Sequence, residues 1–342
     1  MGRTILVTGG SGYFGTVLVE QALARDDRVR ILDVNPPSSF AGEVDYVAGD
    51  VRDRDRVRAA CDGVDIVFHN VAQVPLARDR DLFDSVNVVG TANVLVAARD
   101  ARVGKVVHTS SSAVFGIPES NPVTEDSRCL PVEAYGRAKL RAEHLCHEAA
   151  SAGLDVTIVR PRTILGHGRL GIFAVLFDFV ADGAPVYVLG RGSNRYQLIH
   201  ADDLADACLR AGERFGPTTY NVGATEFGTM RATIQALVQH AGTGSRIRSL
   251  PTAPAQLAMH ALATVGLAPF APYHWLLYGE SLFFDVTKAR TELGWEPRHS
   301  NASMLIESYE WYREHRDGLD ASGSQHQSPV RLGLLKVLRR LP

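Results

Sequence analysis

The chain has 342 residues, and 45% of them are hydrophobic, which is enough for a large core in one large domain or two closely joined ones. Its 36 Lys and Arg residues nearly balance 38 Asp and Glu residues, so the net charge of −2 gives no reason to expect a nucleic-acid partner. The cysteines are widely spaced and form no C-x-x-C pair, so we expect reduced thiols and no metal site: Cys61, Cys129, Cys146 and Cys208.

The first half of the chain alternates β-branched runs with amphipathic stretches. The strand-like runs are TILVTG (4–9), RVRILD (28–33), VDYVAGD (44–50), VDIVFHN (64–70), KVVHTSS (105–111) and DVTIVRP (155–161). Helical patterns lie between them, at 14–25, 53–61, 85–101 and 135–152. This alternation predicts an α/β fold with a doubly wound parallel sheet of the Rossmann type. Ligands of such sheets bind beyond the carboxyl ends of the strands.

A glycine-rich loop, TGGSGYFG (8–15), follows the first strand and opens the first helix. Its Gly9, Gly12 and Gly15 let the backbone turn tightly and approach a pyrophosphate at the helix N-terminus. Asp33 ends the second strand, where a carboxylate accepts hydrogen bonds from ribose hydroxyls and repels a 2′-phosphate. The pattern therefore predicts NAD rather than NADP. GDV (49–51) and HNVAQV (69–74) end the next two strands beside the same crevice.

A serine, a tyrosine and a lysine converge at the predicted nicotinamide end. In AYGRAKLRAEHL (134–145), Tyr135 lies four residues before Lys139, so both side chains share one helix face. That spacing alone is common in helices. The run HTSSSAVFG (108–116), which ends the fifth strand, adds serines that could also be simple turn formers.

Together these motifs make the chain resemble the extended short-chain dehydrogenases/reductases over about residues 3–315. More narrowly, it resembles the NAD-dependent epimerase/dehydratase group and its 3β-hydroxysteroid dehydrogenase-like relatives. Further motifs that carry the resemblance are VNVVGTANVL (86–95), VRPRTILG (159–166), LIHADDLADA (198–207), YNVG (220–223) and FDVTKARTELGWEP (284–297).

The resemblance implies a role for each residue of the site. Tyr135 would be the general acid/base, Lys139 the cation that lowers its pKa and binds the nicotinamide ribose, and Ser111 the hydroxyl that hydrogen-bonds the reacting oxygen, with Ser110 and Ser112 as alternatives. Asn87 could instead merely tie two loops together. Besides the three glycines, Asp33, Tyr135 and Lys139, the implied cofactor contacts are Tyr13, Phe14, Asp50, Val51, Ala72, Gln73, Asn87, Pro161 and Arg162.

Three departures bear on the substrate. Where dehydratases of the group carry a Thr-Asp-Glu run, this chain has Ser111, Ser112 and Ala113, so we do not expect 4,6-dehydration. Thr163 and Tyr196 stand where many nucleotide-sugar enzymes have Asn and Arg near the diphosphate. The expected substrate contacts are Ser111, Ser112, Thr163, Arg169, Arg195 and Tyr196, although Arg195 could be a solvated loop charge, and we expect His200 with Asp202 and Asp203 to cap a helix.

The third departure is the apolar, aromatic segment 254–284, which is either plain core or a cover for an apolar substrate. Beyond a polar linker (315–328), residues 329–342 form a basic amphipathic pattern. Such a tail could lie on an anionic membrane surface, or pack on its own domain or a dimer partner.

Three functions fit these observations. The favoured one is an NAD-dependent epimerase of a nucleotide sugar or related sugar, acting by transient hydride transfer to NAD and a keto intermediate. The second is a 3β-hydroxysteroid-type or lipid-alcohol dehydrogenase. The third, a non-catalytic NAD-binding protein, has no use for an intact set of Ser111, Tyr135 and Lys139.

We expect an NAD-binding Rossmann region (1–162), a smaller C-terminal substrate-binding region (163–315) interleaved with strands that return to the sheet around 186–190 and 219–223, and a tail (316–342). Because a strand-like run begins at Thr4 and no segment has 18 uninterrupted apolar residues, we expect no signal peptide and no membrane span. The expected location is cytoplasmic, with a peripheral contact at the inner membrane surface if the tail binds lipid. The resemblance implies a homodimer through helices 85–101 and 135–152.

Overall fold

The computed structural model describes residues 2–73, 81–171, 173–264 and 279–317. Part of the apolar segment 254–284 and nearly all of the linker and tail lie outside the described residues. The strands are β1 (Thr4–Thr8), β2 (Arg28–Asp33), β3 (Asp45–Ala48), β4 (Ile66–His69), β5 (Lys105–Thr109), β6 (Val156–Pro161), β7 (Thr163–Leu165), β8 (Val186–Leu189), β9 (Leu198–His200), β10 (Thr218–Val222) and β11 (Ile247–Leu250).

Helices separate most of these strands. They are α1 (Tyr13–Leu23), α2 (Arg54–Cys61), α3 (Asp81–Asp84), α4 (Gly90–Asp100), α5 (Ala134–Ser151), α6 (Phe173–Ala181), α7 (Ala201–Glu213), α8 (Met230–Ala241), α9 (Thr252–Thr264), α10 (Thr287–Leu293) and α11 (Asn301–His315). A π-helical turn, Ser85–Val89, joins α3 to α4, and a 3-10 turn, Ser112–Phe115, follows β5. Within the described ranges no helix is long and apolar enough to cross a bilayer.

Seven parallel strands form the main sheet in the order β10-β6-β5-β4-β1-β2-β3, which confirms the predicted Rossmann-type fold. The order reverses direction at β1, where Ile5 pairs with Val29 on one side and Ile66 on the other. In an open α/β sheet, the crevice for a ligand lies beside such a reversal. The glycine loop after β1 stands at that point.

The sheet is buried on both faces. One cluster of buried apolar side chains, including Val7, Leu18 and Leu204, joins it to α1 and α7. A second, including Leu6 and Val94, joins the other face to α2, α4 and α5. Burial on both faces explains why the strands are continuous apolar runs rather than alternating ones.

The C-terminal region has its own core, in which α6, α8 and α11 pack around residues such as Phe177, Leu237 and Tyr309. One prediction about this region is wrong. Residues 186–189 do not return to the main sheet, because β8 pairs with β11 in a separate two-stranded parallel sheet. Residues 218–222 do return to it, and β10 forms its edge next to β6.

Candidate active site

The glycine loop forms a cradle in which side chains do not fit. Gly9 has φ +74°, and a Cβ on Gly15 would stand 2.0 Å from the Gly9 carbonyl oxygen. Helix α1 begins after Gly12 without a side-chain cap and without an acid in its first turn. The buried Ser11 hydroxyl has no hydrogen-bond partner among the described residues. A free helix N-terminus and an unpartnered hydroxyl fit a pyrophosphate.

The carboxylate of Asp33 closes this cradle at the end of β2. Its Oδ2 accepts a hydrogen bond from the Ser11 N–H at 3.1 Å, and its Oδ1 accepts one from the Asn35 N–H at 3.0 Å. The following Val34 is 62% exposed, so its side chain is accessible to a ring that packs at this strand end. The loop, the carboxylate and the valine together fit an adenosine.

The residues that follow β3 and β4, which the sequence predicts as cofactor contacts, have different surroundings. Val51 is buried and packs against Gly90, whereas the Asp50 carboxylate is held by Arg52, whose hydrogen bonds lower the pKa of Asp50. Asn87 ties two loops together, because its Oδ1 accepts from the Gln73 N–H at 2.8 Å and its Nδ2 donates to the Gln73 carbonyl at 3.1 Å. Ala72 next to it is half-buried.

The first two residues of α1 face different surroundings. Phe14 is buried in the core beneath the sheet. The Tyr13 hydroxyl donates to the Gly166 carbonyl at 2.6 Å, and burial raises the pKa of Tyr13 well above its usual range. Tyr13 therefore links the glycine loop to the loop after β7.

Tyr135 and Lys139 lie buried on one face of the first two turns of α5. The Glu133 carboxylate caps this helix by accepting from the Tyr135 N–H at 2.7 Å and the Gly136 N–H at 2.6 Å. Position 136 must be glycine, because a Cβ there would stand 2.5 Å from the Ala113 carbonyl oxygen. The close approach places the first turn of α5 directly on the 3-10 turn after β5.

The Lys139 ammonium is held at the end of β5, where its Nζ donates to the Thr109 carbonyl at 2.8 Å. Burial lowers the pKa of Lys139 to about 8, although the nearby Glu143 carboxylate opposes that effect. Its own charge acts on a buried histidine of β4. Burial, with a contribution from Lys139, lowers the pKa of His69 to about 3, so this imidazole is neutral.

The three serines after β5 have different surroundings. Ser110 donates to Glu143 Oε1 at 2.6 Å, and Ser112 is buried. Ser111 is half-buried at the start of the 3-10 turn, and its Oγ accepts from the Ala113 N–H at 3.2 Å. Its hydroxyl proton can therefore be donated to a ligand, which favours Ser111 over its neighbours.

Sequence reasoning missed a buried ion pair beneath these residues. Glu143 accepts hydrogen bonds from Arg160 Nε at 2.9 Å and Nη2 at 2.7 Å, and both side chains are almost fully buried. The pair joins α5 to β6 and, through Ser110, to the end of β5. The four-residue spacing from Lys139 to Glu143 could have indicated that Glu143 shares the face of Tyr135.

The expected substrate residues fall into separate groups. Thr163 Oγ1 and the Tyr196 hydroxyl are 2.8 Å apart. The Arg169 guanidinium lies 5.1 Å from the Tyr13 ring centroid; burial lowers its pKa, while Tyr13 and Tyr135 act on it electrostatically in the opposite direction. Arg195 is exposed and lies over Phe283, 4.2 Å from its centroid.

The residues at the end of β6 are buried. Pro161 ends the strand, and the Arg162 side chain extends to the Gln197 carbonyl, to which its Nε donates at 3.2 Å. Its guanidinium lies over the Tyr196 ring, 5.0 Å from the centroid. The structure thus groups Arg162 with Thr163 and Tyr196.

His200 caps α7 as predicted, since its Nδ1 accepts from the Asp202 N–H at 3.2 Å. Its Nε2 faces Glu307 at 3.0 Å, and His167 Nε2 lies 2.7 Å from Asp202 Oδ1. Each imidazole therefore meets a carboxylate or a backbone donor, and this cluster connects the loop after β7 to α11.

Known proteins resemble the chain over nearly its whole length. The model of the NAD dependent epimerase/dehydratase family matches residues 5–223. "Uncharacterized protein y4nG" of Sinorhizobium fredii is 51% identical over 98% of this chain and 85% of its own. The UDP-glucose 4-epimerase of Mycolicibacterium smegmatis is 30% identical over 90% of this chain and 98% of its own.

A steroid enzyme is about as similar to the chain as the UDP-glucose 4-epimerase is. The 3 beta-hydroxysteroid dehydrogenase/Delta 5-->4-isomerase of Mycobacterium tuberculosis is 31% identical over 91% of this chain and 90% of its own. Among solved structures, UDP-glucose-4-epimerase from Stenotrophomonas maltophila with bound NAD and formylated UDP-arabinopyranose superposes with a TM-score of 0.76. It is 24% identical and covers 92% of this chain and 99% of that one. The matched family range includes the glycine loop, Ser111, Tyr135 and Lys139.

Proposed function

The chain belongs to the NAD dependent epimerase/dehydratase family, and from this premise we propose that it epimerises a nucleotide sugar or a related sugar with NAD retained in the site. The family membership confirms the resemblance predicted from the sequence. It also confirms that the protein is an enzyme and that its cofactor is NAD. The observation that carries the proposal is the pairing of Tyr135 and Lys139 on the buried face of α5, directly over a 3-10 turn without acids. The full-length similarity to a UDP-glucose 4-epimerase supports a nucleotide sugar.

We propose that the loop of Gly9, Gly12 and Gly15 holds the pyrophosphate of NAD and that Asp33 accepts hydrogen bonds from the adenine ribose. Val51 and the exposed Val34 would contact the adenine. When bound, NAD supplies the acceptor and donor of a hydride for the substrate carbon.

Side chains of the protein would transfer the proton of the reacting substrate hydroxyl. Tyr135 would take the proton from a substrate hydroxyl and later return it. The Lys139 cation, fixed on the Thr109 carbonyl, stabilises negative charge that develops on the phenol oxygen. Ser111, whose hydroxyl proton is available, would donate a hydrogen bond to the reacting oxygen.

The 3-10 turn after β5 carries no acid, which favours epimerisation over dehydration. Elimination of water needs a general acid beside the leaving hydroxyl. Ser111, Ser112 and Ala113 occupy the 3-10 turn facing the first turn of α5, and none of them titrates near neutral pH. The site therefore supports reversible oxidation of a hydroxyl without loss of water.

A second function, oxidation of a 3β-hydroxysteroid or lipid alcohol, has its own support. Besides the similar steroid enzyme, three aliphatic side chains are exposed beside the 3-10 turn: Ile117 at 42%, Leu130 at 40% and Val132 at 39%. Leu130 and Val132 contact Gly116. Such a patch could cover an apolar substrate.

Bound cofactor distinguishes the two functions. The protein is purified without added NAD and denatured, and the supernatant is assayed for NAD. An epimerase that returns its hydride within one turnover should retain near-stoichiometric NAD. An empty protein that binds NAD weakly and forms stoichiometric NADH with a sterol would identify the dehydrogenase.

We also propose that α4 and α5 pack against a second copy in a homodimer. Val89, the last residue of the π-helical turn, and Val96 of α4 are 47% and 48% exposed and lie seven residues apart, on one face of this continuous helical segment. Light scattering of the purified protein tests this, and replacing both valines with aspartate should yield a monomer.

A further inference from the structure

Arg162 is a buried cation whose charge nothing in the described protein neutralises. Its side chain is among the largest fully buried ones, with 1% of the residue exposed. Only its Nε is matched, by the Gln197 carbonyl at 3.2 Å. Both terminal nitrogens, Nη1 and Nη2, are buried without a hydrogen-bond partner, and no acidic side chain in the described ranges pairs with them.

Two aromatic rings offset part of the cost of this burial. The guanidinium carbon lies 5.0 Å from the centroid of Tyr196 and 5.5 Å from that of Phe284, within the range of cation–π attraction. Stacking leaves the four N–H groups on the terminal nitrogens unmatched, however. A buried charged donor without an acceptor is strongly unfavourable, and such groups in native proteins require a specific explanation.

The surrounding residues hold the guanidinium in place. Gln197 donates from Nε2 to the Ala224 carbonyl at 2.7 Å and accepts at Oε1 from the Phe284 N–H at 2.8 Å. Gly223 leaves no room for adjustment, since a Cβ there would stand 2.5 Å from the Gln197 side chain. The fork of Arg162 is therefore preorganised, which is the arrangement that binds planar or tetrahedral oxyanions.

The position of Arg162 relates it to the reacting groups. It directly follows β6, the neighbour of β5, and the carboxyl end of β5 carries Ser111. Its neighbours Thr163 and Tyr196 are half-buried and offer two hydroxyls 2.8 Å apart. Tyr196 is more exposed than Phe284, so we expect a ligand to approach from the Tyr196 side.

We propose that Arg162 binds an anionic oxygen group of the substrate, namely a phosphate of its diphosphate, through the N–H groups on Nη1 and Nη2. This inference rests on the proposed function, because it assigns the nucleotide part of the substrate to a particular side chain. A neutral sterol would leave the buried charge unmatched, so the residue selects for an anionic substrate.

The test measures binding of UDP, and separately of inorganic pyrophosphate, to NAD-saturated protein by calorimetry. The variants are Arg162→Lys, which keeps the charge but loses the fork, and Arg162→Gln, which loses both. Arg313→Gln, an exposed arginine of α11, is the matched control. We expect UDP to bind about tenfold or more weakly to both NAD-saturated Arg162 variants, whereas Arg313→Gln should bind UDP as the wild-type protein does.

The outcomes separate this inference from the proposed function. If UDP binds the wild-type protein and the Arg162 variants equally, Arg162 is a structural cation and the inference is wrong. If pyrophosphate binds but UDP does not, and pyrophosphate binding depends on Arg162, then Arg162 forms an anion site but the proposed nucleotide-sugar function is wrong. If neither ligand binds the wild-type protein, both are wrong. Because Arg162→Lys keeps the cation between the rings, it keeps the test valid should Arg162→Gln fail to fold.

Discussion

Replacing Lys139 with methionine should make the protein more stable near neutral pH and inactive. Lys139 is a buried ammonium, 1% exposed, with one hydrogen bond to the Thr109 carbonyl and no carboxylate in ion-pair contact among the described residues. Methionine fills a similar volume without the charge. Burying this cation costs folding free energy, as expected for a charge that serves the chemistry we propose for Lys139.

The size of the effect follows from the pKa of Lys139, which falls from its ordinary 10.5 to about 8. This difference corresponds to about 3 kcal/mol at ~1.36 kcal/mol per pKa unit. Loss of the hydrogen bond to Thr109 removes about 1 kcal/mol of that gain. We therefore expect Lys139→Met to raise the free energy of unfolding at pH 7 by about 2 kcal/mol.

The gain in stability from Lys139→Met should depend on pH, because the cost of burying the Lys139 charge does. Between the folded pKa of about 8 and the unfolded value of 10.5, the unfolded chain binds more protons, so wild-type stability rises with pH. The cost of burying the charge is thus complete below pH 8 and lost toward pH 10.5. Urea unfolding of the cofactor-free proteins should show that the advantage of the variant at pH 7 disappears near pH 10.

A second lysine provides the control. Lys105 is also buried, but its Nζ lies 2.6 Å from Asp155 Oδ1. Lys105→Met leaves that carboxylate unpaired and should destabilise the protein at pH 7. If Lys139→Met is as destabilising as Lys105→Met at both pH values, the buried, unpaired charge of Lys139 is not a cost, and the reasoning is refuted.

Three further predictions concern other parts of the site. Tyr135→Phe should lower kcat by about 10²–10⁴ while calorimetry finds unchanged NAD binding, because only the proton transfer is lost. Asp33→Asn should weaken NAD binding about tenfold and reduce the preference of the protein for NAD over NADP, measured by titration with each cofactor, because one of the two acceptor oxygens and the negative charge are lost. The hydrogen bond from His167 to Asp202 raises the pKa of His167, so its stabilisation is complete below about pH 6.5 and lost as the pH rises through the folded pKa. The melting temperature of His167→Asn should therefore fall below that of the wild type by more at pH 6 than at pH 8.5.

Each of these has a contradicting result. Loss of NAD binding in Tyr135→Phe would mean that the hydroxyl serves the cofactor. Unchanged NAD affinity in Asp33→Asn would mean that the carboxylate only holds the Ser11 N–H of the loop. A pH-independent difference for His167→Asn would mean that its imidazole contributes by packing alone.

Local sequence patterns were sufficient to predict the strands and helices of the Rossmann region. Runs such as residues 156–161 are buried on both faces, so composition and length determine them, and the glycines after β1 leave few alternative turns. The pairing of β8 was predicted wrongly, because the apolar run 186–190 says nothing about its partner strand. That partner, β11 (247–250), has an exposed, polar centre that gives little strand signal.

Some residues of the candidate site could likewise be predicted from local sequence patterns, and others could not. Tyr135, Lys139 and Gly15 can be picked out as candidates because their local spacing matches the motifs of the roles we propose for them. The surroundings of Ser110 and Arg162 depend on contacts between distant elements, with Glu143 in one case and with Tyr196 and Phe284 in the other. No local pattern distinguishes a buried, unmatched arginine from a solvated one.

The central claim is tested most directly by incubating the purified protein, without added cofactor, with a panel of UDP- and dTDP-sugars. Chromatography follows isomerisation and absorbance follows NADH. We expect conversion of at least one nucleotide sugar into an isomer of equal mass without net NADH, and no conversion by Tyr135→Phe. No isomerisation across the panel, together with stoichiometric NADH from a 3β-hydroxysteroid once NAD is added, would contradict it.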